Sequence, residues 1–97
     1  MSNYYPNRLL HTLRNHIPID RLITDTLRLP LRQKNPLLRF KCPLCHSFHT
    51  ATHPKTNLAR CFDCQKNFNP IDIVMAVTQC GFVDAVELLK KNYQGLI

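Results

Sequence analysis

The sequence predicts an α+β domain over residues 1–97, a small antiparallel sheet flanked by N-terminal and C-terminal helices. Three observations predict it. Apolar residues recur at helical spacing toward both ends of the chain. The middle alternates apolar with basic or polar residues and is broken by turn-forming proline and asparagine. Within that middle lie two Cys-x2-Cys pairs, Cys42-Pro-Leu-Cys45 and Cys61-Phe-Asp-Cys64, separated by fifteen residues. A chain of 97 residues and 11.3 kDa builds one unit with a small core, which calls for reinforcement.

Each element follows in order. Leu9, Leu10 and Leu13 share one side of a helix from Pro6 to Asn15, with Arg8, His11, Arg14 and Asn15 elsewhere on the wheel. Pro18 suits the first position of a second helix, and Asp20 in its first turn is favoured by the helix dipole. Ile19, Leu22, Ile23 and Leu27 form its buried stripe, and Pro30 stops it. Two short strands follow, Leu29 to Arg32 and Leu37 to Lys41, joined through Gln33-Lys34-Asn35-Pro36. In the second, Leu38, Phe40 and Cys42 alternate with Leu37, Arg39 and Lys41, so one face is apolar and the other largely basic. A hairpin of Ser47 to Thr52 and Asn57 to Phe62 closes around Pro54-Lys55-Thr56. Asn69 then caps a helix that Pro70 opens and Asp72 completes as a capping box. Ile71, Ile73, Val74, Met75, Ala76 and Val77 make that helix apolar nearly all round, which predicts burial, and Gly81 marks its end. The last helix, Phe82 to Tyr93, turns Phe82, Ala85, Val86 and Leu89 inward, pairs Glu87 with Lys91, and stops at Gly95.

The cysteines carry the chemistry. A Cys-x2-Cys turn aims two thiolates at one ion, and two such turns close the tetrahedral shell of a structural zinc from Cys42, Cys45, Cys61 and Cys64. His46, directly after Cys45, is the alternative ligand at that position; His46, His49 and His53 otherwise read as solvent-facing. An odd count of five cysteines without a secretion signal argues against a disulfide framework. One Cys-x2-Cys pair would also suit a thiol redox site, whereas two at this separation favour zinc. Cys80, in an apolar helical stretch, reads as core. A shell closed by protein ligands leaves no position for water, which argues against zinc-dependent hydrolysis.

The longest apolar runs are far shorter than the ~20 residues that span a bilayer. The opening Met-Ser-Asn-Tyr-Tyr-Pro-Asn-Arg has no apolar signal core. A cytoplasmic protein without membrane contact is expected. Thirteen Lys and Arg against six Asp and Glu give a net charge of +7. Residues 1–41 hold eight of the basic residues and two Asp, whereas residues 70–97 are slightly acidic. Such polarity is an electrostatic footprint for phosphates. The candidate nucleic-acid contacts are Arg32, Lys34, Arg39 and Lys41 on the first hairpin, with Arg28 beside them, and Lys55 and Arg60 on the second. Phe48, Phe62 and Phe68 offer stacking faces for unpaired bases, or else pack around the metal.

These motifs, in this order, resemble the zinc-binding domain of bacterial DnaG-type DNA primases. The matching stretches are Cys42-Pro43-Leu44-Cys45, Arg60-Cys61-Phe62-Asp63-Cys64, Pro70-Ile71-Asp72-Ile73-Val74-Met75 and Phe82-Val83-Asp84-Ala85-Val86-Glu87-Leu88-Leu89. The resemblance spans about residues 14 to 92. It implies a zinc ribbon that contacts single-stranded DNA template, or RNA, and helps a separate primase catalytic domain start a primer. Two departures stand out: Cys45 replaces the family's usual histidine, and Gln65-Lys66-Asn67-Phe68-Asn69 replaces its glycine-rich segment. The chain has no clustered carboxylates of the kind that hold metal for phosphoryl transfer, so no catalytic site of its own is expected. The other function class is a zinc-ribbon interaction module recruited by a helicase, polymerase or mobile-element replication protein.

Overall fold

The computed structural model describes residues 5–34 and 37–96. Helix α1 (Asn7–Asn15) follows Pro6 and buries Leu13 completely, with Leu9 and Leu10 at the core margin. Helix α2 begins as Ile19–Arg21 and continues as a π-helical turn over Leu22–Thr26. Pro18 stands at its N-cap in extended conformation, one position earlier than expected. Leu27 N–H reaches back five residues to the Leu22 carbonyl at 2.8 Å, and this wider ladder sets Leu22 and Ile23 side by side in the core. The turn ends at Arg28, which adopts the left-handed conformation (φ 51°), so the helix stops before Pro30 can act.

Five strands follow: β1 (Leu31–Gln33), β2 (Arg39–Phe40), β3 (Thr50–His53), β4 (Leu58–Cys61) and β5 (Lys66–Phe68). They form one antiparallel meander in sequence order. Asn35 and Pro36 of the first predicted turn lie outside the described residues. The two hairpins stand where the alternation placed them, with shorter strands. Strand β5 is not among the elements the sequence predicts. Gln65 (φ 57°) reverses the chain, and Lys66, Asn67 and Phe68 then pair with Cys61, Arg60 and Ala59. Phe68 alone of the three is buried, too little apolar pattern to betray a strand.

One face of the sheet carries Phe40, Thr50, Thr52, Ala59, Cys61 and Phe68, all buried. It shares a core with Ile17, with Ile71, Ile73 and Val74 of α3 (Pro70–Thr78), and with Ala85, Val86 and Leu89 of α4 (Phe82–Asn92). Both halves of the α3 capping box form: Asn69 Oδ1 accepts the Asp72 N–H at 2.8 Å and Asp72 Oδ2 accepts the Asn69 N–H at 3.2 Å. Gln79 (φ 57°) ends α3, because the left-handed turn falls there; Gly81 is extended and caps α4 instead. Glu87 pairs with Lys90 at 3.6 Å rather than Lys91, and it accepts the Tyr5 hydroxyl at 2.6 Å. Lys90 also lies over the Tyr5 ring, which draws the ammonium to that side. Helix α4 gives way at Tyr93 to a 3-10 turn, Gln94–Leu96, that contains Gly95. Cys80 is half-buried at the edge of the core, where its sulfur accepts the Thr78 hydroxyl at 2.9 Å.

Asn57 fastens sheet to helices. It sits in left-handed conformation at the tip of the β3–β4 turn, a state asparagine tolerates better than most residues. Its side chain accepts the Ile19 N–H at 2.9 Å and donates to the Ile17 and Arg14 carbonyls at 2.6 and 2.8 Å. Those backbone groups flank the break between α1 and α2, where helix ends leave donors and acceptors without partners.

Candidate metal centre and nucleic-acid face

Two matching turns build the metal centre at one end of the sheet. In the first, Cys42 leaves β2, its N–H bonds the Ser47 carbonyl at 2.8 Å, and its carbonyl accepts the His46 N–H at 2.9 Å. In the second, Cys61 closes β4, pairs with Lys66, and accepts the Gln65 N–H at 2.7 Å. Each turn reverses through a left-handed residue four places after its first cysteine, His46 (φ 67°) and Gln65 (φ 57°). Amides point at sulfur in both: Leu44 N–H to Cys42 Sγ at 3.4 Å, and Cys64 N–H to Cys61 Sγ at 3.3 Å.

The four sulfurs all lie within 4.8 Å of one another, with Cys45–Cys61 at 3.5 Å and Cys42–Cys64 at 3.9 Å. A tetrahedron of sulfurs each about 2.3 Å from zinc has edges of about 3.8 Å. The donor set fits: four thiols at tetrahedral spacing, with amides aimed at two of them, can hold one zinc ion. A sequence model of the CHC2 zinc finger, a zinc ribbon of DnaG type, matches residues 5–96. The chain belongs to the CHC2 zinc finger family. A comparison with curated proteins gives no match.

This CHC2 zinc finger presents cysteine where the family usually presents histidine. Cys45 joins the sulfur cluster, whereas His46 occupies the reversing position with its side chain exposed. Cys42 and Cys61 are buried, Cys64 is half-buried and Cys45 is exposed, so the cluster opens to solvent on the Cys45 side. Burial opposes a thiolate at Cys61, but the Cys64 amide and the surrounding hydrogen bonds outweigh it and bring the thiol down to about 6. The Cys45 thiol, with burial and the other cysteines, pushes Cys64 up to about 12. Four thiolates at this spacing need a cation among them. Across the two turns, His49 Nδ1 lies 3.1 Å from the Asp63 carboxylate, and the Ser47 hydroxyl holds Asp63 below the usual carboxylate range with His49's help.

The opposite face of the sheet is open and basic. Arg39, Ala51, Arg60 and Asn67 form one cross-strand row over β2, β3, β4 and β5. Ala51, Arg60 and Asn67 of that row line a shallow groove of about 350 Å³ walled by Leu37, His53, Leu58 and Phe62. The Arg60 guanidinium reaches Asn67 Oδ1 at 3.4 Å and stands 5.9 Å from the Phe62 ring centre. Phe62 is 58% exposed on this face, while Phe68 is buried and Phe48 half-buried. Of the other candidate contacts, Arg32 and Lys34 are exposed on and just beyond the edge strand β1, and Lys41 is half-buried where β2 enters the first cysteine turn. Lys55 does not join them. It projects from the β3–β4 turn, at the end of the sheet remote from the cysteines. Leu37, His53 and Leu58 are not among the nucleic-acid contacts the sequence predicts, although the alternation that places Arg39 on this face places Leu37 there too.

Proposed function

We propose that this CHC2 zinc finger binds single-stranded DNA template across the open face of its sheet. There it supports primer synthesis by a separate primase catalytic domain or subunit. In this reading Cys42, Cys45, Cys61 and Cys64 hold a structural zinc that stiffens the sheet, and Arg32, Lys34, Arg39, Lys41 and Arg60 meet phosphates. The observation that carries it is the row Arg39–Ala51–Arg60–Asn67. With strands about 4.8 Å apart, the two arginines stand roughly 10 Å from one another across a small residue. Cations so placed can straddle a flat base, and exposed Phe62 supplies a stacking surface at the groove's wall.

Binding of labelled single-stranded oligonucleotides, followed by anisotropy across a salt series, tests the proposal. Each phosphate contact contributes about 0.7 to the slope of log affinity against log salt, so three to five contacts give about −2 to −3.5. Arg39→Gln with Arg60→Gln lowers both affinity and slope, while Lys90→Glu with Lys91→Glu on α4 changes little. Loss of binding in the α4 variant alone would put the DNA on the wrong face. The purified chain makes no primers, and a cognate catalytic domain restores synthesis. One observation favours the interaction-module reading: Leu44, at the tip of the first cysteine turn, is 45% exposed beside Met75, Ala76 and Cys80 of the α3 region. Salt-insensitive or absent DNA binding would move the assignment there.

A further inference from the structure

Thr50 and Thr52 project from β3 into the core, and both hydroxyls are buried without a hydrogen-bond partner. A buried hydroxyl without a partner costs free energy, so each calls for an explanation. Thr50 stands directly across from Cys61 in the β3–β4 ladder. Phe62 N–H bonds the His49 carbonyl at 3.1 Å, which makes Thr50 and Cys61 a non-hydrogen-bonded pair. In such pairs facing side chains approach most closely, with Cβ atoms roughly 4.5–5.5 Å apart. Both residues are fully buried, so no water competes for a contact between the hydroxyl and the sulfur across the strands. Thr52 faces Ala59, which offers nothing polar.

We infer that, when the four thiolates close on zinc, the orphaned Thr50 hydroxyl turns to donate a hydrogen bond to the Cys61 sulfur, making Thr50 a positioning residue of the zinc site. The inference rests on the reading that the four cysteines hold zinc. Zinc with four thiolates carries a net charge of −2, one unit more negative than a site with a neutral histidine in place of Cys45. Donors beside the sulfurs spread that charge and fix the side chains that bear it. Cys61 then takes two donors, the Cys64 amide from its own turn and Thr50 from the neighbouring strand. The second ties the metal to the rigid centre of the sheet.

The test follows zinc transfer from the fully loaded chain to excess 4-(2-pyridylazo)resorcinol. Thr50→Val speeds transfer about tenfold, in line with the effect of outer-shell partners on metal affinity. Thr50→Ser, which keeps the hydroxyl, restores the slow rate. Thr52→Val leaves the rate unchanged, because it removes an equally buried hydroxyl that touches no ligand. Wild-type transfer from Thr50→Val, or equal acceleration by both valine variants, would overturn the inference. Should Thr50→Val fail to fold, the wild-type chain loaded with ¹¹³Cd decides it. A slowly exchanging Thr50 hydroxyl proton coupled to cadmium supports the bond, and a rapidly exchanging, uncoupled one overturns it. A metal-to-protein ratio near zero in the wild type would instead remove the zinc reading itself.

Discussion

Five residues with positive φ shape this chain, and none is glycine: Arg28, His46, Asn57, Gln65 and Gln79, among the described residues. A residue bearing a Cβ accepts the left-handed conformation at a cost of about 1–2 kcal/mol. The chain therefore stores strain at both cysteine turns. His46→Gly and Gln65→Gly should each stabilise the zinc-loaded protein by up to about 1 kcal/mol, the relief exceeding the added freedom of the unfolded chain. Denaturant unfolding reads the change, and destabilisation by both would contradict it. Asn57 belongs to the same class but earns its position through its amide. Asn57→Ala removes three hydrogen bonds at about 1 kcal/mol each and should cost about 3 kcal/mol. Asn57→Gly keeps the backbone at ease and loses only the amide, so the difference between the two variants measures the strain. The sequence names its cysteines plainly because metal ligands have a fixed spacing. It hides Asn57 because the partners lie about forty residues away, at the α1–α2 break.

At the scale of elements, capping chemistry and alternation are legible, and turn chemistry is not. The α3 start is written in Asn69, Pro70 and Asp72, and it forms as written. Asn69→Ala should cost about 1 kcal/mol, visible as a lower unfolding midpoint with unchanged zinc content. The end of α3 is misread because glycine is the usual left-handed residue, whereas Gln79 fills that role two positions earlier. Strand β5 is missed for a related reason: Gln65 reverses the chain without a glycine to announce it. Helix α4 meets the start of the chain through Tyr5, whose hydroxyl hydrogen bond, with Lys90 nearby, holds the Glu87 carboxyl below its ordinary value of 4.5. A depressed carboxyl pKa contributes stability that is present above the unfolded value and lost as pH falls through the folded one. The Tyr5–Glu87 contribution should therefore vanish in acid, below the ordinary carboxylate range. Tyr5→Phe should return the Glu87 titration, followed by carboxyl ¹³C shifts, toward 4.5. An unchanged midpoint in the variant would show that the hydroxyl is not the cause.

For the molecule as a whole, the metal site is not an appendage. Cys42 and Cys61 belong to the same buried cluster as Phe40, Ile73, Val86 and Leu89, so the floor of the zinc site is also part of the roof of the helical core. The charged face lies on the other side of that sheet, one strand thickness away. The arginine row depends on the register of β2, β3 and β4, and the cysteines fix that register at the end where β2 and β4 leave the sheet. Stripping zinc with a chelator at neutral pH should therefore melt sheet and helices together, with one transition in circular dichroism rather than loss of the cysteine turns alone. Zinc ligands must be deprotonated, so the midpoint chelator concentration should fall as pH is lowered. On the proposed function, DNA binding should disappear in the same transition, because the two arginines lose their spacing when the strands separate. Zinc-free protein that keeps native helicity and still binds single strands with the full salt slope would uncouple the metal from the face, and the zinc would then serve some contact at the cysteine turns themselves.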